Sequence, residues 1–147
     1  MRSVEVIGHV PGQDCAEVFA RLSDFGAYPQ FSPAVRSVHS TQQDGRNFSA
    51  WEVNFRDGIL CWSEEDIVDP ANHTLRFVQT EGDIDHFTGE WSVHPYQDGA
   101  RVRFFCHFDM GIPGLADILE PIAEQALRDN ARSIIAGLLP AVQLQDA

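Results

Sequence analysis

The sequence contains no lysine, and all ten of its basic residues are arginine. Schiff-base catalysis through a lysine amine is therefore excluded. Positive charge is scarce overall, because 22 acidic residues leave a formal net charge of −12. Such a chain would be repelled by nucleic acid and by anionic membrane surfaces, so we expect neither as a partner.

Long apolar runs are also missing. No stretch approaches the roughly 18 apolar residues that a membrane span requires, and the opening segment MRSVEVIGHV lacks the apolar run of a signal peptide. We therefore expect a cytoplasmic protein without stable membrane insertion. Its 147 residues predict one domain, over 1–147.

Cysteine is rare, and the usual signatures of metal and phosphate sites are missing. Cys15, Cys61 and Cys106 are odd in number and widely spaced, which favours free thiols over a disulfide framework. The six histidines show no metal-ligand spacing, and no glycine-rich phosphate loop or nucleophile elbow occurs. We therefore predict no metal and no cofactor.

One long helix is predicted over 115–138, where apolar residues recur on one stripe at helical spacing. Gly114 precedes this segment and Pro140 follows it, as is typical of helix limits. Pro121 lies inside and is expected to remove a hydrogen bond and kink the helix. Residues 140–147 are predicted to form a frayed tail.

The remainder of the chain alternates polar and apolar residues with the period of two that is typical of strands. Asp-Gly pairs at 44–45, 57–58 and 98–99 predict tight hairpin turns, and hence an antiparallel meander. The predicted order is one strand, two short helices, six strands and the long helix. This order predicts an α+β domain in which a curved seven-stranded antiparallel sheet wraps around the helix.

One face of the predicted sheet carries most of the large aromatic side chains. Such a face can simply be a dense core, but one helix must here cover about seven strands, so we expect a ligand cavity between them. Gly89, among large neighbours, would add room, and Cys106 is expected as cavity lining or core. The aromatic residues predicted on this face are Trp51, Trp62, Phe87, Trp91, Phe104 and Phe108.

The order of elements resembles the helix-grip fold of START-related proteins. YPQFSP follows the short helices, GDIDHFTGEW opens the sixth strand, and FDM closes the seventh. That superfamily includes lipid-transfer proteins, polyketide aromatase/cyclases and coenzyme-Q-binding proteins, and the resemblance covers nearly the whole chain. It implies a cavity between sheet and helix that binds hydrophobic or aromatic molecules.

Several positions match the aromatase/cyclases in residue type. The resemblance implies that Tyr28 and Phe31 lie at the cavity mouth, that Trp62, Trp91 and Phe104 point inward, and that Asn130 faces the cavity from the long helix.

Two positions depart from the pattern of the aromatase/cyclases. Asp66 stands where those enzymes carry an inward arginine, and Ala34 stands where they carry a tyrosine. We therefore do not expect a cyclase that uses that arginine and tyrosine, whereas cyclase action by another route stays open. The segments WSEEDIVD and GDIDHFTGEW look equally similar to the coenzyme-Q-binding branch, in which catalysis is not implied.

Glu64 and Asp66 are the candidate catalytic residues, because they share one strand face with Trp62. Apolar residues occur on both faces of the strand over 59–68, so the pattern leaves the inward face open, and the resemblance favours the Trp62 face. A carboxyl group that faces an apolar cavity has a raised pKa and can act as an acid or base near neutrality. Alternatively, both acids are hydrated or paired with an arginine such as Arg76.

Asn130 lies on the apolar stripe of the long helix. Because a buried amide must be hydrogen-bonded, its partner is either a backbone carbonyl or water, or an oxygen of a ligand. The sequence leaves both alternatives open.

We expect a protein that binds a hydrophobic, aromatic or polyketide-like molecule, and the favoured function is a polyketide cyclase/aromatase that catalyses aldol cyclisation and dehydration. The first alternative is a non-catalytic carrier of a quinone or lipid, and the second is an interaction protein that responds to a small molecule. An acyl carrier protein is a candidate partner. This acidic chain would repel an acidic carrier unless Arg21, Arg36, Arg101 or Arg103 cluster near the mouth. The oligomeric state stays open.

Overall fold

The computed structural model describes residues 2–55, 58–111 and 116–145, and the side chains at 116 and 117 are not part of that description. Its first part contains strand β1 (Arg2–Pro11), helix α1 (Cys15–Ser23), a 3-10 turn (Phe25–Ala27) and the short helix α2 (Tyr28–Phe31). Six strands follow, with a 3-10 turn (Pro70–Asn72) after the third: β2 (Val35–Gln43), β3 (Arg46–Phe55), β4 (Gly58–Asp69), β5 (Thr74–Gly82), β6 (His86–Tyr96) and β7 (Gly99–Asp109). The last elements are helix α3 (Ala116–Leu138) and strand β8 (Gln143–Leu144).

All of these strands form one antiparallel sheet in the order β2-β3-β4-β5-β6-β7-β1-β8. The predicted Asp-Gly turns at 44–45 and 98–99 join β2 to β3 and β6 to β7. Register shifts interrupt the pairing of β2 with β3 and of β4 with β5. Such irregularities bend strands, as a sheet that wraps around a helix requires.

The predicted frayed tail is wrong at residues 143 and 144. These two residues pair with His9 and Gly8 of β1 and add an eighth strand to the predicted seven. A Cβ atom at Gly8 would lie 2.7 Å from Cγ2 of Val142, so the tail can pack this closely only because residue 8 has no side chain.

Helix α3 is the long helix that the sequence predicts, and it is described from Ala116 onward, so that Leu115 lies outside the described residues. Pro121 lies within the helix on an exposed position. The three cysteines are unpaired. In the part of the chain that the structure describes, no helix has the length and apolar character needed to cross a membrane.

The inner face of the sheet has two different halves. The apolar half, on β1 and β7, consists of buried aliphatic and aromatic side chains and one cysteine: Val4, Val6, Val10, Ala100, Val102, Phe104, Cys106 and Phe108. The acidic half, on β3 and β4, combines two tryptophans with buried polar side chains: Ser49, Trp51, Val53, Leu60, Trp62, Glu64 and Asp66. Helix α3 lies over both halves, and the space between α3 and the sheet is where the candidate site lies.

Candidate ligand-binding and acid–base site

Strand β4 directs two of its acidic residues, Glu64 and Asp66, inward. Trp62, Glu64 and Asp66 are buried, with exposed fractions of 9%, 3% and 6%, whereas Cys61 and Ile67 on the other face are half-buried or exposed. The inward face is therefore the Trp62 face, as the resemblance implies. In the described part of the chain neither acid pairs with Arg76: both are buried, Glu64 accepts from Trp62 and Asp66 accepts from Ser49.

Two stacked tryptophans organise this half of the sheet. Trp51 and Trp62 are directly opposed on β3 and β4, and their rings stack with centroids 5.7 Å apart and planes inclined by 3°. Such a cross-strand aromatic pair stabilises a sheet. It also holds both indole N–H groups in fixed positions beside the acidic residues.

Each indole N–H donates into a hydrogen-bond network that ends on a carboxyl group. Trp62 Nε1 donates to Glu64 Oε1 over 2.7 Å. Trp51 Nε1 donates to Ser49 Oγ over 2.8 Å, and Ser49 Oγ in turn donates to Asp66 Oδ2 over 2.6 Å. These two hydrogen-bond chains together include five side chains on two neighbouring strands, which agrees with the rule that buried polar groups find partners.

The two carboxyl groups are set up to retain a proton. Burial raises the pKa of Glu64 well above its usual range, and the hydrogen bond to Asp66 and the negative charge of Asp66 raise it further. Burial also raises the pKa of Asp66, although hydrogen bonds from Glu64 and Ser49 oppose this. Asp66 Oδ1 is buried without a fixed donor, so a proton held between Glu64 and Asp66 would satisfy it.

A cavity of about 50 Å³ lies between the sheet and α3. It is lined by seven residues that the sequence singles out, namely Trp51, Trp62, Glu64, Phe87, Trp91, Phe104 and Asn130, and by five that it does not, namely Val53, Phe77, Leu127, Ala131 and Ile134. A water needs roughly 10–15 Å³ of such space, whereas pockets for drug-sized ligands enclose roughly 300–1,000 Å³. The cavity lies where it was predicted, but it must widen before it admits an aromatic ring.

Five of the predicted ligand-binding residues do not line this cavity. Cys106 and Phe108 are wholly buried in the apolar half, and burial raises the pKa of the Cys106 thiol to about 12, so the thiol is unreactive. Tyr28 lies behind Trp51, with its hydroxyl donating to the Leu22 carbonyl oxygen. Phe31 is 53% exposed on α2.

Gly89 is the fifth. A Cβ atom at this position would lie 2.6 Å from the carbonyl oxygen of Phe105 and would overlap the ring of Phe77. The room that the missing side chain leaves is thus filled by Phe77, not available to a ligand. Phe77 is itself a lining residue that the sequence analysis missed, although it shares the inward alternation of β5 with Leu75.

Asp66, one of the two predicted catalytic residues, does not line the cavity either. It borders a groove that is open to solvent, next to Ser40, Gln42, Asn47 and Phe48, and we call this groove the outer groove. Only Glu64 of the acidic pair faces the space between sheet and helix.

Asn130 marks the edge of the cavity on the β3 side. Its Nδ2 donates to the backbone carbonyl oxygen of Asn54 over 2.9 Å, so the backbone alternative is the one observed. Asn54 is in turn held by Arg36 Nε and by the carbonyl oxygen of Pro33. Asn130 also borders a second outer groove, with Asn54, Ile122, Gln125, Ala126 and Asp129, so this hydrogen bond lies between the cavity and that groove.

The arginines that could attract an acidic carrier are dispersed. Arg103 pairs with Glu5 over 2.6 Å, Arg101 lies over the ring of Tyr96, and Arg21 donates to the carbonyl oxygen of Leu138. Arg36 donates to Asn54, which also accepts from Asn130 at the edge of the cavity. In the described part of the chain, no group of three or more His, Cys, Asp and Glu side chains could hold a metal ion.

Comparison with known proteins finds one matching family and many solved structures of similar fold. Residues 13–135 match the family described as polyketide cyclase / dehydrase and lipid transport. No curated protein sequence matches the chain.

Three solved structures illustrate the fold. A Thermus thermophilus protein is 23% identical, with a TM-score of 0.85 over 95% of this chain and 96% of its own. The Zhui aromatase/cyclase from a Streptomyces species is 17% identical, with a TM-score of 0.82 over 95% and 93%. A START superfamily protein from Mycobacterium smegmatis is 17% identical, with a TM-score of 0.74 over 95% and 96%. These identities establish the fold alone, and the predicted helix-grip fold is confirmed.

Proposed function

The chain belongs to the polyketide cyclase / dehydrase and lipid transport family, and from that premise we propose that it binds an aromatic or polyketide-like molecule under α3 and catalyses its aldol cyclisation and dehydration. The observation that carries this proposal is the position of Glu64. It is a buried carboxyl group on the wall of an otherwise aromatic and aliphatic cavity, and it is held in place by the indole N–H of Trp62.

An aldol cyclisation moves one proton from an activated carbon to a carbonyl oxygen while a carbon–carbon bond forms. In its carboxylate form Glu64 would accept the proton from the carbon, and the resulting enolate would attack the ketone carbon. Glu64 would then return the proton to the new alkoxide, so that it ends the step as it began. Its raised pKa makes the carboxylate a stronger base than a hydrated one, and such proton transfer contributes typically about 10²–10⁴-fold in rate.

Dehydration uses the same group. A second proton leaves the carbon next to the ketone, and the hydroxyl group departs as water after it receives a proton. A carboxyl pair that holds one proton supplies both an acceptor and a donor, as in other sites where two neighbouring acids have different pKa values. Asp66 supports Glu64 in this scheme but does not reach the ligand, because it does not line the cavity.

The ligand needs more room than about 50 Å³, and the contacts of α3 suggest where the room comes from. Among the described residues, α3 is held to β3 by the hydrogen bond from Asn130 to Asn54. On the β1 side Arg2 forms ion pairs with Glu120 and Glu124. We expect the helix to part from the sheet on the β3 side, where the second outer groove meets the cavity.

The test uses a linear poly-β-ketone presented as a short thioester, with cyclised product measured by liquid chromatography and mass spectrometry. Glu64→Gln keeps the size and the hydrogen bond from Trp62 but cannot take up a proton, so product formation should fall about 10²–10⁴-fold. Glu65→Gln is the matched control, because Glu65 lies on the same strand but pairs with Arg46 on the outer face.

Equal rates for the wild type and Glu64→Gln would remove Glu64 from the mechanism. If the wild type forms no product above buffer but binds a short-chain ubiquinone, the protein is a carrier instead. Quenching of tryptophan fluorescence would report that binding, because Trp51, Trp62 and Trp91 all line the cavity.

A further inference from the structure

The acidic pair on β4 lies between two spaces, the cavity under α3 and the outer groove. Glu64 lines the cavity under α3, and Asp66, two residues further along the same face, borders the outer groove with Asn47 and Phe48. The Asp66 side chain is 6% exposed, so it forms part of the wall of the groove and is not a surface carboxylate.

A general acid or base in a cavity that is filled by a ligand needs a way to recover its protonation state. Glu64 is 3% exposed, and the cavity of about 50 Å³ has room for a few waters when empty and for none when a ligand fills it. A proton can then reach Glu64 only through a hydrogen-bonded neighbour. The polar side chains adjoining it are those of Trp62, Ser49 and Asp66.

Two of these neighbours, Trp62 and Ser49, already donate their hydrogen atoms in hydrogen bonds and are not open to a proton from Glu64. The indole N–H of Trp62 can donate but cannot accept. The Ser49 hydroxyl accepts from Trp51 Nε1 and donates to Asp66 Oδ2, so its orientation is fixed. Asp66 Oδ1 has no fixed donor and is thus the oxygen that is open to a proton from Glu64.

We propose that Asp66 is the proton-exchange residue of the site, which passes the proton of Glu64 between the ligand-filled cavity and water in the outer groove. The O–H bond on Glu64 breaks as an O–H bond forms on Asp66, so the pair keeps its total charge. Asp66 then gives the proton to water and receives another in the reverse direction. Asp66 is a positioning residue by this assignment, because it acts on the ligand through Glu64.

The surrounding charges fit this role. The negative charge of Glu65, which pairs with Arg46 on the outer face, helps to raise the pKa of Asp66 and so favours proton uptake from the groove. Tyr28 is the other titratable neighbour of the pair. Burial and the charges of Glu64 and Asp66 raise its pKa well above its usual range, so it stays protonated and donates to Leu22.

The inference rests on the proposed acid–base role of Glu64, but its test needs no substrate. Protein labelled with ¹³C in the Glu and Asp carboxyl carbons and with ¹⁵N in the indoles is titrated by NMR. In the wild type, the Glu64 signal should move continuously with pH, because its proton exchanges rapidly. The indole signals of Trp51 and Trp62 should follow the same transition, and Trp91, outside the network, serves as an internal control.

Asp66→Asn should leave Glu64 titratable but slow its proton exchange, by about 10²-fold if a carboxyl relay contributes as a general acid–base group does. The Glu64 signal would then split into separate protonated and deprotonated peaks. Asp66→Glu restores a carboxyl group and should restore the single moving signal. If Asp66 had only a structural role, Asp66→Asn and Asp66→Glu would not differ in this way. Glu52→Gln, at an exposed position of β3 where Glu52 accepts from Ser37, should leave exchange fast.

A single moving Glu64 signal in Asp66→Asn would overturn the proposal, because the proton would then reach Glu64 by another route. If Asp66→Asn does not fold, Asn47→Leu replaces it. That change makes the groove beside Asp66 apolar and should also slow exchange, and unchanged exchange would equally overturn the proposal. A protein that shows the relay but no cyclised product would disprove the proposed function alone.

Discussion

The two halves of the inner sheet face pack against the same helix but are built from different chemistry. In the apolar half, β1 and β7 contribute side chains such as Val102, Cys106 and Phe108 that are wholly buried. In the acidic half, β3 and β4 contribute Glu64 and Asp66, which are the buried charged side chains of the described residues. Packing explains the first half completely, because apolar burial is the main stabilising term in folding.

Packing does not explain the acidic half. A buried carboxyl group is costly unless it is hydrogen-bonded, and apolar residues of similar volume at 64 and 66 would avoid that cost. The chain instead places two tryptophan N–H groups and one serine hydroxyl around the pair. We infer that the apolar half holds the fold together and that the acidic half holds the chemistry.

The largest expected effect comes from the apolar half. Phe108→Ala removes a ring with no exposed surface and should destabilise the protein by about 3–5 kcal/mol, measured by urea unfolding. Phe31→Ala is the control, because that ring is 53% exposed and its loss should change stability by no more than about 0.5 kcal/mol. A loss below about 1 kcal/mol for Phe108→Ala would show that the apolar half is not the main source of stability.

The second effect, in the acidic half, depends on pH. Because the pKa of Glu64 is raised in the folded state, folded protein binds more protons than unfolded protein above the ordinary glutamate pKa of roughly 4.3. The free energy of unfolding should therefore fall as pH rises from that value toward the folded pKa, by up to about 1.4 kcal/mol for each pH unit. Glu64→Gln should flatten this fall.

Glu65→Gln is the matched control for the pH effect. The hydrogen bond from Arg46 lowers the pKa of Glu65, so this residue contributes stability that is lost as pH falls, the opposite direction. The fall with rising pH should persist in Glu65→Gln. A wild type whose stability is level over this range would contradict a shared proton on the pair.

Local patterns predicted the apolar half well and the acidic half only in part. Period-two alternation and Asp-Gly turns depend on neighbouring residues, and they predicted seven strands and the long helix. The inward face of β4 could not be chosen from its pattern, because Ile59 and Ile67 on one side compete with Leu60 and Trp62 on the other. The resemblance to a known fold supplied that choice.

Contacts between distant segments account for the remaining differences. Strand β8 depends on the space at Gly8, and the ring that fills the space at Gly89 comes from Phe77 on another strand. Ser49 meets Asp66 only through the register of β3 on β4, so the network could not be inferred from either strand alone. Residue type predicted the two acids as site residues, and their different positions along β4 decide that Glu64 lines the cavity and that Asp66 borders the outer groove.

The smallest expected effect concerns the edge of α3 that lies over the acidic half. Asn130→Ala removes the hydrogen bond to the Asn54 carbonyl oxygen, which is worth about 1 kcal/mol. Because the ion pairs of Arg2 still hold the β1 side, the loss should appear as local opening, not as global unfolding.

Backbone amide exchange measured by NMR would show that opening as a rate about fivefold faster at Leu127, Ala131 and Ile134, the other α3 residues that line the cavity. Glu124→Gln is the comparison on the other edge, since Glu124 pairs with Arg2 and Arg128. It should leave exchange at these three amides unchanged, because the β1 side is expected to stay closed when the cavity opens. Equal acceleration by the two variants would mean that α3 lifts as a whole, and the acidic half would then have no entrance of its own.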